Sequence, residues 1–310
     1  MTKIVFMGTP EFALPSLQQL MQMYPVVGVV TQPDKPSGRG QQVRPSPIKQ
    51  LALSAGIPIY QPNSLRSETA AAPLRQWQPD LIVVAAFGQI LRPHVLDLPP
   101  MGCLNVHASL LPRWRGASPI QHALLAGDTT TGITLMRMDV GMDTGPCYVQ
   151  QAIPIQPQET AATLHDRLAH LGADLLAAYL PQIMAGALPP TPQDETLATP
   201  APLIEKKDGR LDWSRPAHVL DRQIRAMTPW PGAFTLWQGE SIKILTAQPV
   251  PLPLPGGRPG LVSRVAEQIV VYSGDGALAL QMVQLAGKRP LPIHDFVNGR
   301  PDFIGSTLTW

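Results

Sequence analysis

The sequence predicts an α/β fold: a Rossmann-like, doubly wound and mainly parallel sheet, followed by a second, smaller OB-like β-barrel. Three features carry that expectation. Short apolar runs bounded by Gly and Pro alternate with amphipathic stretches through the first part of the chain. A long helical pattern then gives way to a proline-dense segment without periodicity. Finally, five short alternating runs separated by Gly and Pro fill the remainder.

The apolar runs Ile4–Met7, Val26–Val30 and Leu81–Ala86 read as strands, and Leu14–Met23, Ile48–Ala55 and Pro93–Leu98 as the helices between them. Strands that are apolar throughout belong to a sheet covered on both faces, which is the parallel doubly wound arrangement. Cys103–His107 continues as a strand, Pro119–Ala126 as a helix and Gly132–Met138 as the last strand of the sheet. Over Thr160–Met184 the residues Leu164, Leu168, Leu171, Leu175, Leu176 and Tyr179 recur at helical spacing. From Gly186 to Asp208 proline is dense and no period persists, as in a semi-rigid linker. One helix, Pro216–Met227, precedes strands over Ala233–Leu236, Ser241–Leu245, Gly260–Val265, Gln268–Ser273 and Ala277–Leu285, and five short strands with tight turns suit a small barrel. The expected division is a catalytic domain over 1–188, a linker over 189–208 and a barrel domain over 209–310.

Composition narrows the class. A chain of 310 residues with 44% hydrophobic side chains can bury one large core and a second, smaller one. A net charge of +2 does not mark a strongly basic nucleic-acid protein, but its distribution is uneven. Up to Gly209 there are 14 Lys+Arg against 15 Asp+Glu, and from Arg210 onward 10 against 7, so the mild excess sits on the barrel. Two cysteines, Cys103 and Cys147, are too few for a disulfide framework and fit a reducing cytoplasm. The start, MTKIVFMGTP, is too short in apolar residues for a secretory leader, and no apolar stretch is long enough for a membrane span. A cytoplasmic monomer with no membrane association is expected.

Four segments could carry chemistry. Gly8–Phe12 (GTPEF) follows the first strand but lacks the G-x-G-x-x-G spacing of a dinucleotide site, leaving a tight turn or a substrate-lining role. Asn105 and His107 sit two apart at the end of an inner strand and so share a side. Ligands of open α/β sheets bind beyond the carboxyl ends of strands. An amide and an imidazole there are either donors for a developing oxyanion or satisfied capping and core residues. Asp139–Gly145 (DVGMDTG) reads as a turn or an incomplete cation loop, and its functional weight comes from the company of Asn105 and His107. Gln32–Lys49 holds Lys35, Arg39, Arg44 and Lys49 against only Asp34, which suits either a solvated loop or an arm for phosphates.

Taken together, FMGTPEFA (6–13), TQPDKPSGRG (31–40), SPIKQLA (46–52), NVHASLLPRWRGASPIQHAL (105–124), TGITLMRMDVGMDTGP (131–146), GRLDWS (209–214), TPWPGA (228–233) and AGK (286–288) resemble the folate-dependent formyltransferases. They run through almost the whole chain in the family's order. The resemblance implies that Asn105, His107 and Asp143 form the catalytic triad and that Ser109, Leu110, Leu111 and Pro112 form the folate signature. It implies further folate contacts from Phe87, Gly88, Gln89 and Ile90 and from the loop over Arg137–Asp143. The co-substrate would be 10-formyltetrahydrofolate and no metal would be needed.

The implied chemistry is attack of an amine on the formyl carbon, with Asn105 and His107 stabilising the oxyanion and Asp143 taking the proton, through water. A free α-amino group has a pKa near 7.7–8.0, so modest activation suffices. With the barrel and the loop holding Lys35, Arg39 and Arg44, the resemblance implies initiator methionyl-tRNA as the amine. An amino-sugar acceptor is the main alternative, and a non-enzymatic folate- or RNA-binding module the second. Ala108 stands where glycine is common in the family, and Gln41 and Gln42 where basic residues are common.

Overall fold

A computed structural model of the chain describes residues 1–37, 42–250 and 257–309. Two compact units are present: Met1–Pro119, Thr130–Ile155 and His165–Pro202 make the first, and Ile120–Thr129, Gln156–Leu164 and the chain from Leu203 onward make the second.

In the first unit, strands β1 (Ile4–Gly8), β2 (Val26–Val30), β5 (Ile59–Tyr60), β6 (Leu81–Ala85), β7 (Cys103–His107), β8 (Thr130–Arg137) and β9 (Cys147–Pro154) form one sheet in the order β5-β2-β1-β6-β7-β8-β9. A short ribbon of β3 (Lys35–Ser37) and β4 (Gln42–Arg44) stands apart from it. Pairing is parallel from β5 through β7 and antiparallel for β7–β8 and β8–β9. The central strands are buried along their whole length, as a sheet clad on both faces requires. Helices α1 (Leu14–Met23), α2 (Pro47–Ser54), α3 (Ala72–Trp77) and α4 (Pro93–Leu96) connect the parallel strands. Helices α5 (Pro119–Ala126) and α6 (Ala161–Met184) flank the antiparallel pair in sequence.

The sheet does not end at the strand expected over Gly132–Met138. A further edge strand, β9, pairs antiparallel with it. Its sequence, CYVQQAIP, is half exposed and contains no sustained apolar run, because an edge strand has only part of its surface to bury.

The GTPEF turn proves to be a packing device. A side chain on Gly8 would lie 2.8 Å from both the Ala13 Cβ and the Ala85 carbonyl oxygen, so only glycine lets β1 pass that close to its neighbours. Thr9 is tied to Thr31, to the Gln32 amide and to the Phe87 carbonyl.

Beside this turn, Asp34 accepts hydrogen bonds from Lys49 Nζ and Gln61 Nε2. Those donors, Lys49 first, hold its carboxyl below the ordinary value of 3.8. A depressed carboxyl adds stability above its unfolded pKa and loses that contribution as pH falls through the folded one. Asp34→Asn is therefore expected to melt below the wild type at neutral pH, with the gap closing below about pH 4. Calorimetry across pH checks this.

In the second unit, β10 (Ala233–Trp237), β11 (Glu240–Val250), β12 (Val262–Val265), β13 (Gln268–Tyr272) and β14 (Ala277–Leu285) form an antiparallel sheet in the order β10-β11-β14-β13-β12, and β15 (Leu291–Pro292) pairs with β14. The C-terminal residues link its two ends. Thr309 bridges Leu236 on β10, and Thr307 bridges Leu261 beside β12, which curls the sheet toward the expected barrel. Helix α7 (Ala217–Ala226) packs on β11, and α8 (Ile293–Asn298) contributes Phe296 to an edge-to-face cluster with Trp237 and Phe303 at centroid distances of 5.1–5.7 Å.

Candidate active site

Strand β7 lies between β6 and β8, with Asn105 paired to Val84 on one side and Met136 on the other. Its period of two places Asn105 and His107 on the same side, as expected. Both are nearly enclosed, at 9% and 5% relative exposure. Asp143 reaches them from the loop after β8. Asn105 Nδ2 lies 3.4 Å from Asp143 Oδ1, and His107 Nδ1 lies 3.6 Å from Asp143 Oδ2. Residues 38 positions apart in sequence thus meet at the carboxyl edge of the sheet, where open α/β proteins bind ligands.

The backbone around Asp143 is unusual. Its φ is +54°, a left-handed conformation that a non-glycine residue holds only where its surroundings enforce it. Several contacts do so. Gly116 N donates to Asp143 Oδ2 at 2.9 Å, and Gln193 Nε2 donates to the carbonyls of Asp143 and Gly145 at 2.8 and 2.7 Å. At Gly145 a Cβ would sit 1.8 Å from the Arg137 carbonyl oxygen, so the loop can fold onto β8 only with glycine there. Asp139 Oδ1 is occupied within the loop, accepting from Gly141 N and Thr144 Oγ1, which supports the turn reading of this carboxylate over a cation ligand.

Hydrogen-bond geometry also limits the protonation of His107. Its Nε2 lies 3.0 Å from the Trp114 carbonyl oxygen, an acceptor only, so Nε2 carries the hydrogen. Nδ1 then has a proton for Asp143 only when the ring is doubly protonated.

The run Ser109–Pro112 forms the floor of the turn that delivers Trp114. Ser109 is fully buried and its hydroxyl donates to the Arg113 carbonyl at 2.6 Å. Thr134 on β8 clamps the same turn, donating to the Ser109 carbonyl and accepting from Leu111 N. Leu111 is buried, while Leu110 and Pro112 are partly exposed.

A cleft of about 140 Å³ opens beside the triad. Gln89, Ile90 and Leu91 line one wall, and Met136, Met138 and residues 139–143 the other. Ile90, Val140 and Met142 are large apolar side chains left exposed at 54%, 72% and 61%. Apolar walls of this kind suit a flat ring system. Phe87 does not reach this cleft, because its ring is part of the buried core with Met7, Val84 and Leu91. Gly88 is exposed, and the Gln89 amide is engaged with Leu65 N and the Pro62 carbonyl.

Neither cysteine is primed as a nucleophile. Burial pushes the Cys103 thiol up to about 12 and the Cys147 thiol up to about 11.

Of the three expected tRNA contacts, Arg39 lies outside the described residues. Lys35 and Arg44 face each other across the β3–β4 ribbon, and both are exposed. Like charges directly opposite repel one another, and an anion between them removes that cost. Lys49, by contrast, is paired with Asp34.

Sequence reasoning missed Gln193 and passed over Arg115. Gln193 falls in the proline-dense segment, where no periodicity or motif marks it. Arg115 lies within the run 105–124, but its partners follow only from the folded chain.

Residues 2–180 match the Formyl transferase family, and residues 203–301 match the Formyl transferase C-terminal domain. The chain belongs to the formyl transferase family. It is 50% identical to the methionyl-tRNA formyltransferase of Symbiobacterium thermophilum, over 100% of this chain and 96% of the relative. It is 49% identical to that of Myxococcus xanthus, over 98% and 97%. Among solved structures, the sugar 3-N-formyltransferase WlaRD superposes with a TM-score of 0.67 at 19% identity, covering 93% of this chain and 99% of that one. The methionyl-tRNA formyltransferase from Clostridium thermocellum gives 0.57 at 13%, covering 92% and 99%. At such identities the structural likeness speaks for the fold alone. Among the described residues, no helix is long and apolar enough to cross a membrane.

Proposed function

We propose that this chain is a cytoplasmic enzyme that transfers the formyl group of 10-formyltetrahydrofolate to the α-amino group of initiator methionyl-tRNA. The carrying observation is the convergence of Asn105, His107 and Asp143 beside an apolar cleft. Full-length identity near one half to proteins named for this reaction selects the acceptor.

The carrier supplies an activated formyl group. Ile90, Met136, Met138 and the loop over 139–143, which line the cleft, would hold its ring. Attack by the amine nitrogen on the formyl carbon places negative charge on the formyl oxygen, and preorganised donors are needed where that charge develops. The Asn105 amide has two N–H groups and only one can point at Asp143, so the other is available to the oxyanion. His107 in its doubly protonated form adds positive charge nearby. Asp143 takes the ammonium proton through water, its carboxylate held in place by the Gly116 amide. Collapse of the tetrahedral intermediate then breaks the bond between the formyl carbon and the folate nitrogen, which leaves with the proton that Asp143 received, and no covalent intermediate on the protein is required.

On this reading Lys35 and Arg44 meet phosphates of the tRNA, while Phe87 and Ser109 support the folate site from beneath. Removing Lys35 or Arg44 is expected to weaken tRNA binding without changing the bound rate. Each removal should also flatten the dependence of log K on log salt by about 1. Titration of the tRNA from low to moderate salt measures this.

The reading as a whole is tested by formyl transfer to charged initiator tRNA, charged elongator methionine tRNA, glycinamide ribonucleotide and a nucleotide-linked amino sugar. Turnover confined to initiator tRNA is expected. Turnover only on a small amine would keep the catalytic site and remove the tRNA assignment.

A further inference from the structure

The structure assigns Gln193 as the positioning residue for Asp143, held in its working orientation by Arg115 and Glu195. This rests on the proposed catalytic role of Asp143. Gln193 Nε2 donates to the carbonyls of both Asp143 and Gly145, at 2.8 and 2.7 Å, and so fixes the backbone on either side of Thr144. Gln193 Oε1 accepts from Arg115 Nε and Nη2 at 3.0 and 2.8 Å.

Only one orientation of the amide satisfies these contacts. Carbonyl oxygens only accept and a guanidinium only donates, so reversing the amide would oppose like groups on both sides. Arg115 is in turn gripped by Glu195, Nη1 to Oε2 at 2.7 Å and Nη2 to Oε1 at 2.8 Å. This two-point pairing sets the plane of the guanidinium as well as its position. The backbone reinforces the arrangement, with Arg115 N donating to the Thr199 carbonyl and Ala201 N to the Arg115 carbonyl.

The segment over 191–201, which falls in the stretch expected from its prolines to be a semi-rigid linker, therefore grips both loops that build the site. One of those loops carries Gly116, whose amide donates to the Asp143 carboxylate. The other holds Asp143 itself at φ +54°, a conformation that needs external support. Gln193 touches neither the cleft nor the reacting groups, so its effect runs through the orientation of Asp143.

Gln193→Glu tests this with almost no change in shape. It keeps an oxygen for Arg115 but places a second oxygen against the two carbonyls it must hold. Formyl transfer is measured in single turnover for the wild type, Gln193→Glu, Asp143→Asn and the double variant. A roughly 10–100-fold loss is expected for Gln193→Glu in the wild-type background, the range for a misplaced catalytic group. In the Asp143→Asn background the same change is expected to cost less than about twofold, because a residue acting through Asp143 has nothing left to position. Equal losses in both backgrounds, or no loss in either, would overturn the assignment.

Exchange of the Gly116 amide hydrogen, followed by NMR, reads the same geometry without substrate. It should quicken in Gln193→Glu, and an unchanged rate would count against the inference even if the acceptor were misassigned. Should Gln193→Glu fail to fold, Arg115→Lys enters the same cycle, since lysine keeps a charge for Glu195 but loses the fork that holds Gln193. A wild type inactive on initiator tRNA would sink the proposed acceptor and leave the exchange result to decide on Gln193.

Discussion

Asp143→Asn is expected to lower the rate of formyl transfer by about 10²–10⁴-fold while leaving the fold and the cleft in place. The substitution is isosteric, so the argument concerns hydrogen bonds alone. Asp143 Oδ2 accepts from Gly116 N and faces His107 Nδ1, and Oδ1 faces the Asn105 amide. With His107 doubly protonated, all three neighbours are donors and a carboxylate satisfies them all. An asparagine must turn one NH₂ toward a donor, and it has no means of taking the ammonium proton.

The loss should therefore appear in the chemical step, read in single turnover at saturating substrates, with donor affinity changed far less. Because the acceptor's amine itself ionises near 7.7–8.0, part of the loss should be recovered at higher pH, where more of the amine arrives neutral. A loss below about tenfold would mean that the proton leaves by another route and that Asp143 mainly shapes the loop.

The sequence contained the sheet and the triad in unequal degree. Strands β1, β2 and β6 were legible because burial on both faces leaves unbroken apolar runs, β7 because it continues their order, and Asn105 and His107 because a period of two fixes their side. Asp143 could be placed near them only through resemblance, since nothing local tells a loop after β8 which strand end it will meet. Two omissions share one physical cause. The edge strand β9 and the segment over 191–201 both bury little apolar surface and are held largely by hydrogen bonds. Hydrophobic pattern is blind to such contacts. Phe87 lies in a loop whose backbone is expected to touch folate, and its ring completes the core beneath that loop.

The other large effect concerns the second unit. Trp213→Ala is expected to destabilise it by about 3–5 kcal/mol, the range for removing a buried large aromatic. The GRLDWS run resembles a family motif, but Trp213 is only 2% exposed and offers no face to a ligand. Its role is to lock the sheet. Trp213 Nε1 donates to Thr235 Oγ1 at 3.0 Å, and that hydroxyl donates on to the Thr309 carbonyl at 2.6 Å. Thr309 in turn exchanges two backbone hydrogen bonds with Leu236 on β10. The indole thus fills the core and fixes the rotor of the hydroxyl that anchors the closing C-terminal segment.

Trp213→Phe separates the two contributions. It retains most of the packing and loses the donor, with an expected cost of about 1–3 kcal/mol. Urea unfolding followed by far-ultraviolet circular dichroism, which does not depend on the lost indole, measures both variants. A phenylalanine as costly as alanine would show that the hydrogen-bond relay to Thr309, rather than the volume of the ring, holds the sheet closed.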